Sequence, residues 1–365
     1  MIKARGLQRR FTSRGRTVDA VKGVDIDVAE GELVGFLGPN GAGKTTTLRM
    51  LTTLLTPTAG EAQVAGCDLR ADPVGVRGRI GYVAQGGGTG PECKVSEEIE
   101  LQGRLYGLSK ADAIARGKEL TEQLDLSGLD QRLTKTLSGG QRRRLDIALG
   151  LIHSPKLVFF DEPTTGLDPQ SRANLWEHIR TLRSEQGVTM FLTTHYLEEA
   201  DALCDRILVI DGGEIVAEGT PDALKARVSG DGVVLGVDDD VTDRAAAIVG
   251  RVDGAHDLTT LPGEVRFRVP RGDTALPALL RAFDAEGLTM QSVQVQRPTL
   301  DDVFLTLTGR SLRDSESTDG ATGPDGDTRS DDTTDSGHGN DDGHGGHNDD
   351  EKDDDEKDEV PTHVA

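Results

Sequence analysis

The stretch GPNGAGKTTT, from Gly38 to Thr47, leaves few folds open to this chain. It fits the pattern G-x-x-x-x-G-K-[ST], it follows the apolar run LVGFL directly, and the residues behind it can begin a helix. The glycines allow successive backbone N–H groups to turn toward one point at the N-terminus of that helix, where an anion is stabilised. The sequence therefore predicts a strand, a phosphate-binding loop and a helix in an α/β domain.

A second stretch, LVFFDEP at 157–163, contains two adjacent carboxylates. The apolar run that ends in Asp161 indicates a buried strand, whose last residue would lie at the carboxyl edge of the sheet, where α/β proteins bind ligands. We expect Lys44 to neutralise the β- and γ-phosphates of a nucleotide, and Thr45 and Asp161 to bind Mg²⁺, Asp161 through water. Glu162 is the predicted general base for the attacking water. The alternative is that Asp161 and Glu162 merely begin a loop.

Short apolar runs alternate with helical patterns through residues 1 to about 220, as in α/β domains. Residues 91–136 interrupt this alternation with helices that have charged faces, which predicts an inserted helical subdomain. The runs that we predict to be buried strands are LVGFL (33–37), LVFF (157–160), TMFLTT (189–194) and RILVI (206–210).

Residues 221–310 show a different order of elements. The pattern is strand, helix, strand, strand, helix and strand, which is typical of a ferredoxin-like α+β module, and a last helix follows RPTLDD. That helix carries an apolar stripe that either belongs to the core of this module or extends a contact between two copies of the chain. The stripe consists of Leu300, Val303, Phe304 and Leu307.

Most of the negative charge lies in a C-terminal tail, residues 311–365. These residues carry 19 Asp and Glu against 4 Lys and Arg, whereas residues 1–310 carry 44 against 37. Because the tail has almost no apolar side chains to offset the entropy of ordering, we predict that it is disordered. Its histidines could gather a divalent metal loosely or buffer metal, or the tail is simply a solvated acidic segment. They are His338, His344, His347 and His363.

The three cysteines, Cys67, Cys93 and Cys204, show no CxxC spacing, which argues against a zinc site and a disulfide framework and fits a reducing cytosol. No stretch approaches the roughly 20 apolar residues of a membrane helix. We therefore expect that the chain does not cross a membrane by itself.

A second nest of glycines occurs at LSGGQ, residues 137–141, almost a hundred residues after the first. A serine and two glycines at the start of a helix expose free N–H groups to an anion, but no phosphate-binding lysine accompanies them. The pattern alone leaves open whose phosphate this helix N-terminus binds.

Five motifs stand in the order and spacing of the ATP-binding subunits of ABC transporters, and the resemblance covers residues 1 to about 220. The region 221–310, which ends in RPTLDDVFLTLTGR, resembles the C-terminal region of the daunorubicin-resistance ATP-binding subfamily. The motifs are GPNGAGKTT (38–46), LSGGQ (137–141), LVFFDEP (157–163), GLDP (166–169) and TTHYLEEAD (193–201).

The resemblance implies a P-loop NTPase fold, an ABC cassette with a RecA-like core, an antiparallel β subdomain and the helical subdomain at about 91–136. It implies an ATPase that binds ATP and Mg²⁺, forms a dimer, most simply a homodimer, and drives a separate transmembrane permease that exports a drug-like or lipid molecule. The protein would then lie at the cytoplasmic face of the membrane as a peripheral subunit.

The resemblance also assigns roles to single residues. Ser138 and its two glycines would complete the γ-phosphate site of the opposite subunit, while the same N–H groups cap their own helix. Gln85 would touch Mg²⁺ or the attacking water, His195 would contact the γ-phosphate, and Asp168 would reach the partner's phosphate loop. Phe11 stands where relatives place a tyrosine that stacks on adenine, and a place in the core is the alternative.

The complete set of predicted site residues follows. The predicted catalytic residues are Lys44, Gln85, Glu162 and His195. The predicted metal ligands are Thr45, Gln85 and Asp161. The predicted nucleotide-binding residues are Phe11, Gly38, Pro39, Asn40, Gly41, Ala42, Gly43, Lys44, Thr45, Thr46, Ser138, Gly139, Gly140, Gln141 and Asp168.

The alternative function is an ABC ATPase that acts on DNA or the ribosome. Such proteins usually carry a long coiled coil or two cassettes, whereas only 51 residues without heptads separate Gln85 from Leu137 here. The run RRRLD (142–146) does not indicate a nucleic-acid partner, because we expect its arginines to face solvent or a nearby carboxylate. The run GGGTGPE (86–92) predicts a loose connection between Gln85 and the helices after it.

Overall fold

The computed structural model describes residues 1–13, 15–228 and 230–309. Two short 3-10 helices cover Thr134–Thr136 and Asp239–Val241. The strands are β1 (Ile2–Ser13), β2 (Arg16–Val28), β3 (Leu33–Leu37), β4 (Ala59–Val64), β5 (Cys67–Asp68), β6 (Ile80–Val83), β7 (Leu157–Asp161), β8 (Thr189–Thr194), β9 (Arg206–Asp211), β10 (Glu214–Gly219), β11 (Asp231–Gly236), β12 (His256–Leu261), β13 (Glu264–Val269) and β14 (Ser292–Gln296). The α-helices are α1 (Lys44–Leu51), α2 (Pro73–Arg79), α3 (Val95–Leu105), α4 (Lys110–Gln123), α5 (Gly139–Leu151), α6 (Pro169–Gln186), α7 (Leu197–Leu203), α8 (Pro221–Lys225), α9 (Thr242–Val249), α10 (Gly272–Ala285) and α11 (Leu300–Thr308).

A six-stranded sheet in the order β10-β9-β3-β8-β7-β6 forms the centre of the α/β part. All of its neighbouring strands are parallel except the pair β9 and β10. Every residue of β3, β7 and β8 is buried, which explains why these strands appear in the sequence as unbroken apolar runs. Because β3, β7 and β8 are parallel neighbours, the loops that follow them leave from one edge of the sheet. The predicted α/β core is confirmed.

A four-stranded antiparallel sheet in the order β2-β1-β4-β5 is the predicted β subdomain. Ile2, Leu7 and Ile26 on its inner face are buried against apolar residues of α1 and the central sheet, such as Leu48 and Phe36. The hairpin of β1 and β2 is long, so it reaches past the shared core and leaves its end near residues 11–18 exposed.

Helices α3 and α4 form the predicted helical subdomain, and α5 packs against both of them. Helix α5 begins with a capping box, in which Ser138 caps the N–H of Gln141 while the side chain of Gln141 accepts from the N–H of Ser138. The LSGGQ run (137–141), which we call the signature stretch, is therefore a well-formed helix N-terminus at the border between the helical subdomain and the central sheet.

The C-terminal sheet has the strand order β12-β13-β11-β14, and all of its pairs are antiparallel. This is the order of a ferredoxin-like sheet, and the buried residues of α9 and α10 share one core with it. The predicted fold of this region is confirmed. The predicted boundary at about residue 220 stays a prediction, and the acidic tail 311–365, with its four histidines, lies outside the described residues.

Helix α11 returns from the ferredoxin-like sheet to the α/β part. Its residues Leu300, Val303 and Phe304 are buried in the same core cluster as residues of α7, α8 and the central sheet, whereas Leu307 is 38% exposed. The expectation that the stripe belongs to the core of the ferredoxin-like module is therefore wrong, because most of it completes the core of the α/β part.

Within the ranges that the structure describes, we find no helix with the length and apolar composition needed to span a bilayer.

Phe304→Ala should lower the free energy of unfolding by about 3–5 kcal/mol, because it removes a buried ring from the α/β core. Leu305→Ala is the matched control: Leu305 is 48% exposed while Phe304 is 1% exposed. We expect the control to change the free energy by no more than about 0.5 kcal/mol. Urea unfolding followed by circular dichroism measures both, and equal midpoints for the two variants would contradict the placement of α11.

Candidate functional site

The loop between β3 and α1 presents an uncapped helix N-terminus. Gly43, the N-cap of α1, has a φ of 106° and makes no side-chain capping bond, and the first turn contains no acidic residue. A Cβ on Gly38 would lie 2.2 Å from the carbonyl oxygen of Ile210, and one on Gly43 would lie 2.6 Å from that of Ala20. Only glycine fits at these two positions, and the first N–H groups of α1 are left for an anion.

Lys44 is the first residue of α1, at the end of this loop, and is only 4% exposed. Its Nζ donates to the carbonyl oxygen of Gly38 at 2.7 Å and to that of Pro39 at 3.0 Å. The same ammonium lies 3.4 Å from Oε1 of Glu162. The positive charge of Lys44 is therefore shared between the phosphate loop and the end of β7.

Asp161 is the last residue of β7, and its side chain is fixed by two hydroxyl groups. Oδ1 accepts from Oγ1 of Thr193 at 2.8 Å and from Oγ1 of Thr45 at 3.3 Å. Thr45 is the second residue of α1 and Thr193 lies in β8. The carboxylate and the Thr45 hydroxyl thus lie together, as predicted, at the carboxyl edge of the sheet.

Glu162 is the point on which the predicted catalytic residues converge. Oε2 accepts from Nε2 of Gln85 at 2.9 Å and from Oγ1 of Thr165 at 3.2 Å. Oε1 lies 3.3 Å from Nδ1 of His195. Lys44, Gln85 and His195 come from three different loops at the same edge, and all of them contact this one buried carboxylate.

The charges around Glu162 keep its side chain ionised. Burial alone raises the pKa of the carboxyl, but the hydrogen bond from His195 and the positive charge of Lys44 outweigh it and lower the pKa to about 2. The carboxylate is therefore a hydrogen-bond acceptor at neutral pH.

The backbone at Glu162 is strained, with a φ of 45° for a residue that has a Cβ. The N–H of Glu162 donates to the carbonyl oxygen of Thr193 and to its hydroxyl, both at 3.1 Å. The neighbouring strand β8 thus fixes the direction in which this residue leaves β7.

Two further predicted site residues cap helices. Ser138 Oγ accepts from the N–H of Gln141 at 3.2 Å at the start of α5. Asp168 caps α6, and its carboxylate accepts from the N–H of Ser171 at 2.9 Å and from the Ser171 hydroxyl at 2.6 Å. A Cβ on Gly140 would lie 2.9 Å from that hydroxyl oxygen, so the N-termini of α5 and α6 are neighbours.

Phe11, the predicted adenine platform, lies near the exposed end of the hairpin. Its side chain is 39% exposed, and the guanidinium of Arg9 lies 4.6 Å from the ring centroid. Phe11 is therefore not a core residue. Stacking of its accessible ring on adenine stays a prediction.

Arg143 is a functional candidate that the sequence analysis missed. We expect the arginines of the RRRLD run to face mostly solvent or a nearby carboxylate, and Arg143 does lie 3.9 Å from Asp146. The sequence did not indicate that Arg143 is only 6% exposed and donates to the carbonyl oxygens of Ala84, Asp161 and Pro163. Arg143, Ile147 and Gly150 share the inward face of α5. That helical spacing is the signal that could have identified it.

The glycine run after Gln85 is also better fixed than its composition predicts. The N–H of Gly88 donates to the carboxylate of Asp146 on α5, and the N–H of Gly90 donates to Oε1 of Glu98 on α3 at 2.7 Å. The carboxylates of Asp146 and Glu98 therefore hold a segment that its glycines alone would leave loose.

A second missed residue is Glu199, inside the TTHYLEEAD motif. Its carboxyl is completely buried and accepts from Nε1 of Trp176 at 3.2 Å. Burial raises the pKa of this carboxyl. The hydrogen bond joins α6 to α7, the helix that follows His195.

Comparisons with known proteins agree with this geometry. The sequence model of the family described as ABC transporter matches residues 21–165, and the model described as ATP-binding protein DrrA1-3-like, C-terminal domain, matches residues 219–308. The chain is 42% identical over 321 residues to the daunorubicin resistance ATP-binding protein DrrA3 of Streptomyces coeruleorubidus, which covers 87% of this chain and 98% of that protein. The chain belongs to the ATP-binding subunits of ABC transporters.

Two other relatives of this ABC subunit extend the comparison. It is 39% identical to the Nod factor export ATP-binding protein I of Ralstonia nicotianae, over 86% of this chain and 95% of that protein. A solved dimeric structure of the ATP-binding cassette MJ0796 in a post-hydrolysis state, bound to ADP and Pi, has 27% sequence identity and a TM-score of 0.56, and covers 60% of this chain and 98% of that one.

The chain is therefore an ATP-binding and ATP-hydrolysing subunit of an ABC exporter. Subunits of this kind dimerise and work with membrane permeases. An ABC ATPase that acts on DNA or the ribosome is not favoured, because the names of these relatives refer to resistance and export.

Thr45 and Asp161 of this ABC subunit are suited to hold Mg²⁺ in the way that proteins bind this ion beside phosphates. The described part of the chain contains no group of three or more His, Cys, Asp or Glu that could enclose a metal ion. Mg²⁺ does not need one, because it takes oxygen ligands from one or two side chains and the rest from phosphates and water. The Thr45 hydroxyl and the Asp161 carboxylate are oxygen donors of this kind, already 3.3 Å apart.

Gly43→Ala should abolish nucleotide binding, because the new Cβ would collide with the carbonyl oxygen of Ala20 and the residue has a positive φ. Gly78→Ala is the control, since its Cβ meets no atom within 4 Å. We expect Gly43→Ala to weaken the binding of a fluorescent ATP analogue by at least about 100-fold and Gly78→Ala by less than about twofold. Unchanged binding by Gly43→Ala would contradict the described loop geometry.

Proposed function

We propose that two copies of the chain close on two Mg·ATP, and that each triphosphate lies between Lys44 of one copy and Ser138 of the other. Hydrolysis then reopens the dimer, and a separate membrane permease converts the motion into export. One observation carries the proposal: Lys44, Gln85 and His195 converge on the buried carboxylate of Glu162, directly beside an uncapped helix N-terminus. A charge cluster of this kind is suited to phosphoryl transfer to water.

Each residue of the cluster has a distinct task. The N–H groups at the start of α1 and the ammonium of Lys44 bind the phosphates, and Thr45, Gln85 and, through water, Asp161 would hold Mg²⁺. When bound, the ion would supply positive charge beside the β- and γ-phosphates. His195 lies next to Glu162 and would orient the γ-phosphate.

Glu162 acts by accepting a hydrogen bond from the attacking water. With Lys44 and His195 beside it, the pKa of the Glu162 carboxyl is lowered to about 2, so the group is ionised and available to accept this hydrogen bond and orient the water. General-base assistance of this type requires the carboxylate to come within hydrogen-bond distance of the water. Glu162 projects beyond the end of β7, with its backbone in a strained conformation.

The composite nature of the site follows from the second helix N-terminus. Ser138, Gly139 and Gly140 begin α5 next to Asp168 and Ser171 at the start of α6. The α5 N-terminus binds an anion equally well when that anion is held by the phosphate loop of another chain. The solved dimer with bound ADP and Pi, a protein similar in fold, supports two copies as the working unit.

The helical subdomain is the proposed docking surface for the permease, together with the segment around Gln85. Leu101, Leu105 and Ile114 on α3 and α4 are apolar and exposed, Leu105 to 72%. We place the subunit at the cytoplasmic face of the membrane, as a homodimer on a permease that is a separate polypeptide. Exposed apolar side chains on one subdomain are typical of a surface that a partner covers.

The proposed cargo is an amphipathic drug-like molecule or a lipid. The names of the relatives refer to daunorubicin resistance and to Nod factor export. We also propose that residues 221–310 form an accessory domain of the exporter subunit that follows a cassette ending at about residue 220.

Lys44 and Glu162 should separate binding from hydrolysis. Lys44→Ala should weaken ATP binding and abolish turnover together, because it removes the charge in the loop. Glu162→Gln should retain ATP binding, lower kcat by at least about 100-fold and accumulate a closed dimer, because the amide is a poor acceptor for the proton of water. Steady-state ATPase assays and size-exclusion chromatography with ATP measure these effects. ATP turnover by Glu162→Gln at the wild-type rate would exclude the role of Glu162.

Ser138 offers a matched pair of variants for the composite site. Ser138→Asp and Ser138→Asn both preserve the helix cap, but only Asp places a negative charge where the partner's γ-phosphate would lie. We expect Ser138→Asp to abolish ATP hydrolysis and Ser138→Asn to retain most of it.

Equal amounts of Lys44→Ala and Ser138→Asp, each inactive alone, should recover about a quarter of the wild-type ATPase rate when mixed. Half of the dimers would be hybrids, and each hybrid has one intact site of two. A mixture without activity, combined with full activity of dilute monomeric wild type, would contradict the shared site.

A further inference from the structure

Arg143 is the buried cation of α5, five residues after Ser138, and its contacts point away from the signature stretch. Its three guanidinium nitrogens donate to three backbone carbonyls: Nε to Pro163 at 2.7 Å, Nη2 to Asp161 at 3.2 Å, and Nη1 to Ala84. Burial lowers the pKa of the guanidinium, which nevertheless stays charged, as arginine does in proteins. Burying the charged guanidinium costs desolvation free energy. The backbone segments that its three hydrogen bonds hold in place explain why the charge is buried there.

The first two carbonyls flank Glu162 on both sides. The carbonyl of Asp161 belongs to the same peptide plane as the N–H of Glu162, which donates to Thr193. That plane is therefore held from both edges, by Arg143 and by β8. The carbonyl of Pro163 fixes the chain on the far side of Glu162, whose φ of 45° is a conformation that the surrounding structure must enforce.

The third carbonyl, that of Ala84, directly precedes Gln85. Gln85 itself donates to Glu162 at 2.9 Å. One turn further along α5, Asp146 lies 3.9 Å from Nη1 of Arg143 and accepts from the N–H of Gly88. The pair Arg143 and Asp146 therefore fixes the backbone before and after Gln85 as well as the backbone around Glu162.

We propose that Arg143 is a positioning residue for ATP hydrolysis: its guanidinium aligns Glu162 and Gln85 from the helix whose N-terminus carries Ser138. This inference rests on the proposed role of Glu162. Within the described residues, the hydrogen bonds and ion pair of Arg143 go to Ala84, Asp161, Pro163 and Asp146 and not to the phosphate loop, so it acts on the orientation of the hydrolytic residues and not on the affinity for ATP. The chain thereby couples the helix assigned to the partner's nucleotide with the catalytic carboxylate of its own site.

The test compares Arg143→Lys with Arg142→Lys in the full-length chain. Lysine keeps the charge at position 143, but one ammonium cannot reach three carbonyls that a planar fork spans. Arg142 is the exposed neighbour on the same helix. We expect Arg143→Lys to lower kcat by about 10- to 100-fold with KM for ATP within about threefold, and Arg142→Lys to change neither by more than about twofold.

A double variant supplies a readout that a purely structural role would not give. In the Glu162→Gln background, Arg143→Lys should lower the residual rate by no more than about twofold, because both changes affect the same step. Asp146→Asn is a second variant that leaves the guanidinium in place, and it should lower kcat several-fold without a change in KM.

The outcomes are distinct. Wild-type kcat for Arg143→Lys overturns the inference, and so does a parallel loss of ATP binding or an additive loss in the Glu162→Gln background. If Arg143→Lys does not fold, as judged by thermal unfolding, the result for Asp146→Asn decides in the same way. Wild-type turnover by Glu162→Gln would instead overturn the proposed role of Glu162, whatever the Arg143 variants do.

Discussion

The carboxylate of Glu162 is ionised inside the protein, and the arrangement of the site depends on that charge. A buried carboxylate is stable only with partners, and here they are the ammonium of Lys44, the amide of Gln85 and the imidazole of His195. Each partner comes from a loop that follows a different strand, β3, β6 or β8. The parallel sheet is the element that makes this possible, because it delivers all of these loops to one edge.

The backbone contributes as much to this arrangement as the side chains. Glu162 leaves β7 in a conformation that residues with a Cβ rarely adopt, and this conformation directs the carboxylate toward the phosphate loop. Its peptide plane is held by Thr193 on one edge and by Arg143 on the other. The strain is thus local, and it is stabilised by hydrogen bonds from a strand and from a helix that approach from opposite sides.

The C-terminal region is integrated with the α/β part through α11 and not through its sheet alone. The ferredoxin-like sheet has a core of its own, but Leu300, Val303 and Phe304 are buried against α7 and α8. Because α7 begins two residues after His195, the same packing that anchors α11 supports the helix next to the site. Helix α11 therefore packs directly on the helix that follows His195.

The sequence by itself determined the elements whose physics is local. Unbroken apolar runs identified β3, β7 and β8 almost to the residue, since strands buried on both faces need them, and the glycines of the phosphate loop follow from positive φ angles and close backbone contacts. The same local patterns predicted where Lys44, Thr45, Asp161 and Glu162 lie, because the first two belong to the phosphate-loop motif and the last two stand at the end of the apolar run of β7. Only the tertiary structure decided the places of Arg143, Glu199 and α11, because burial of a charge or a stripe depends on acceptors and surfaces far away in the chain. An arginine in a basic run is indistinguishable from its neighbours until the helix is packed and three carbonyls come within reach of its guanidinium.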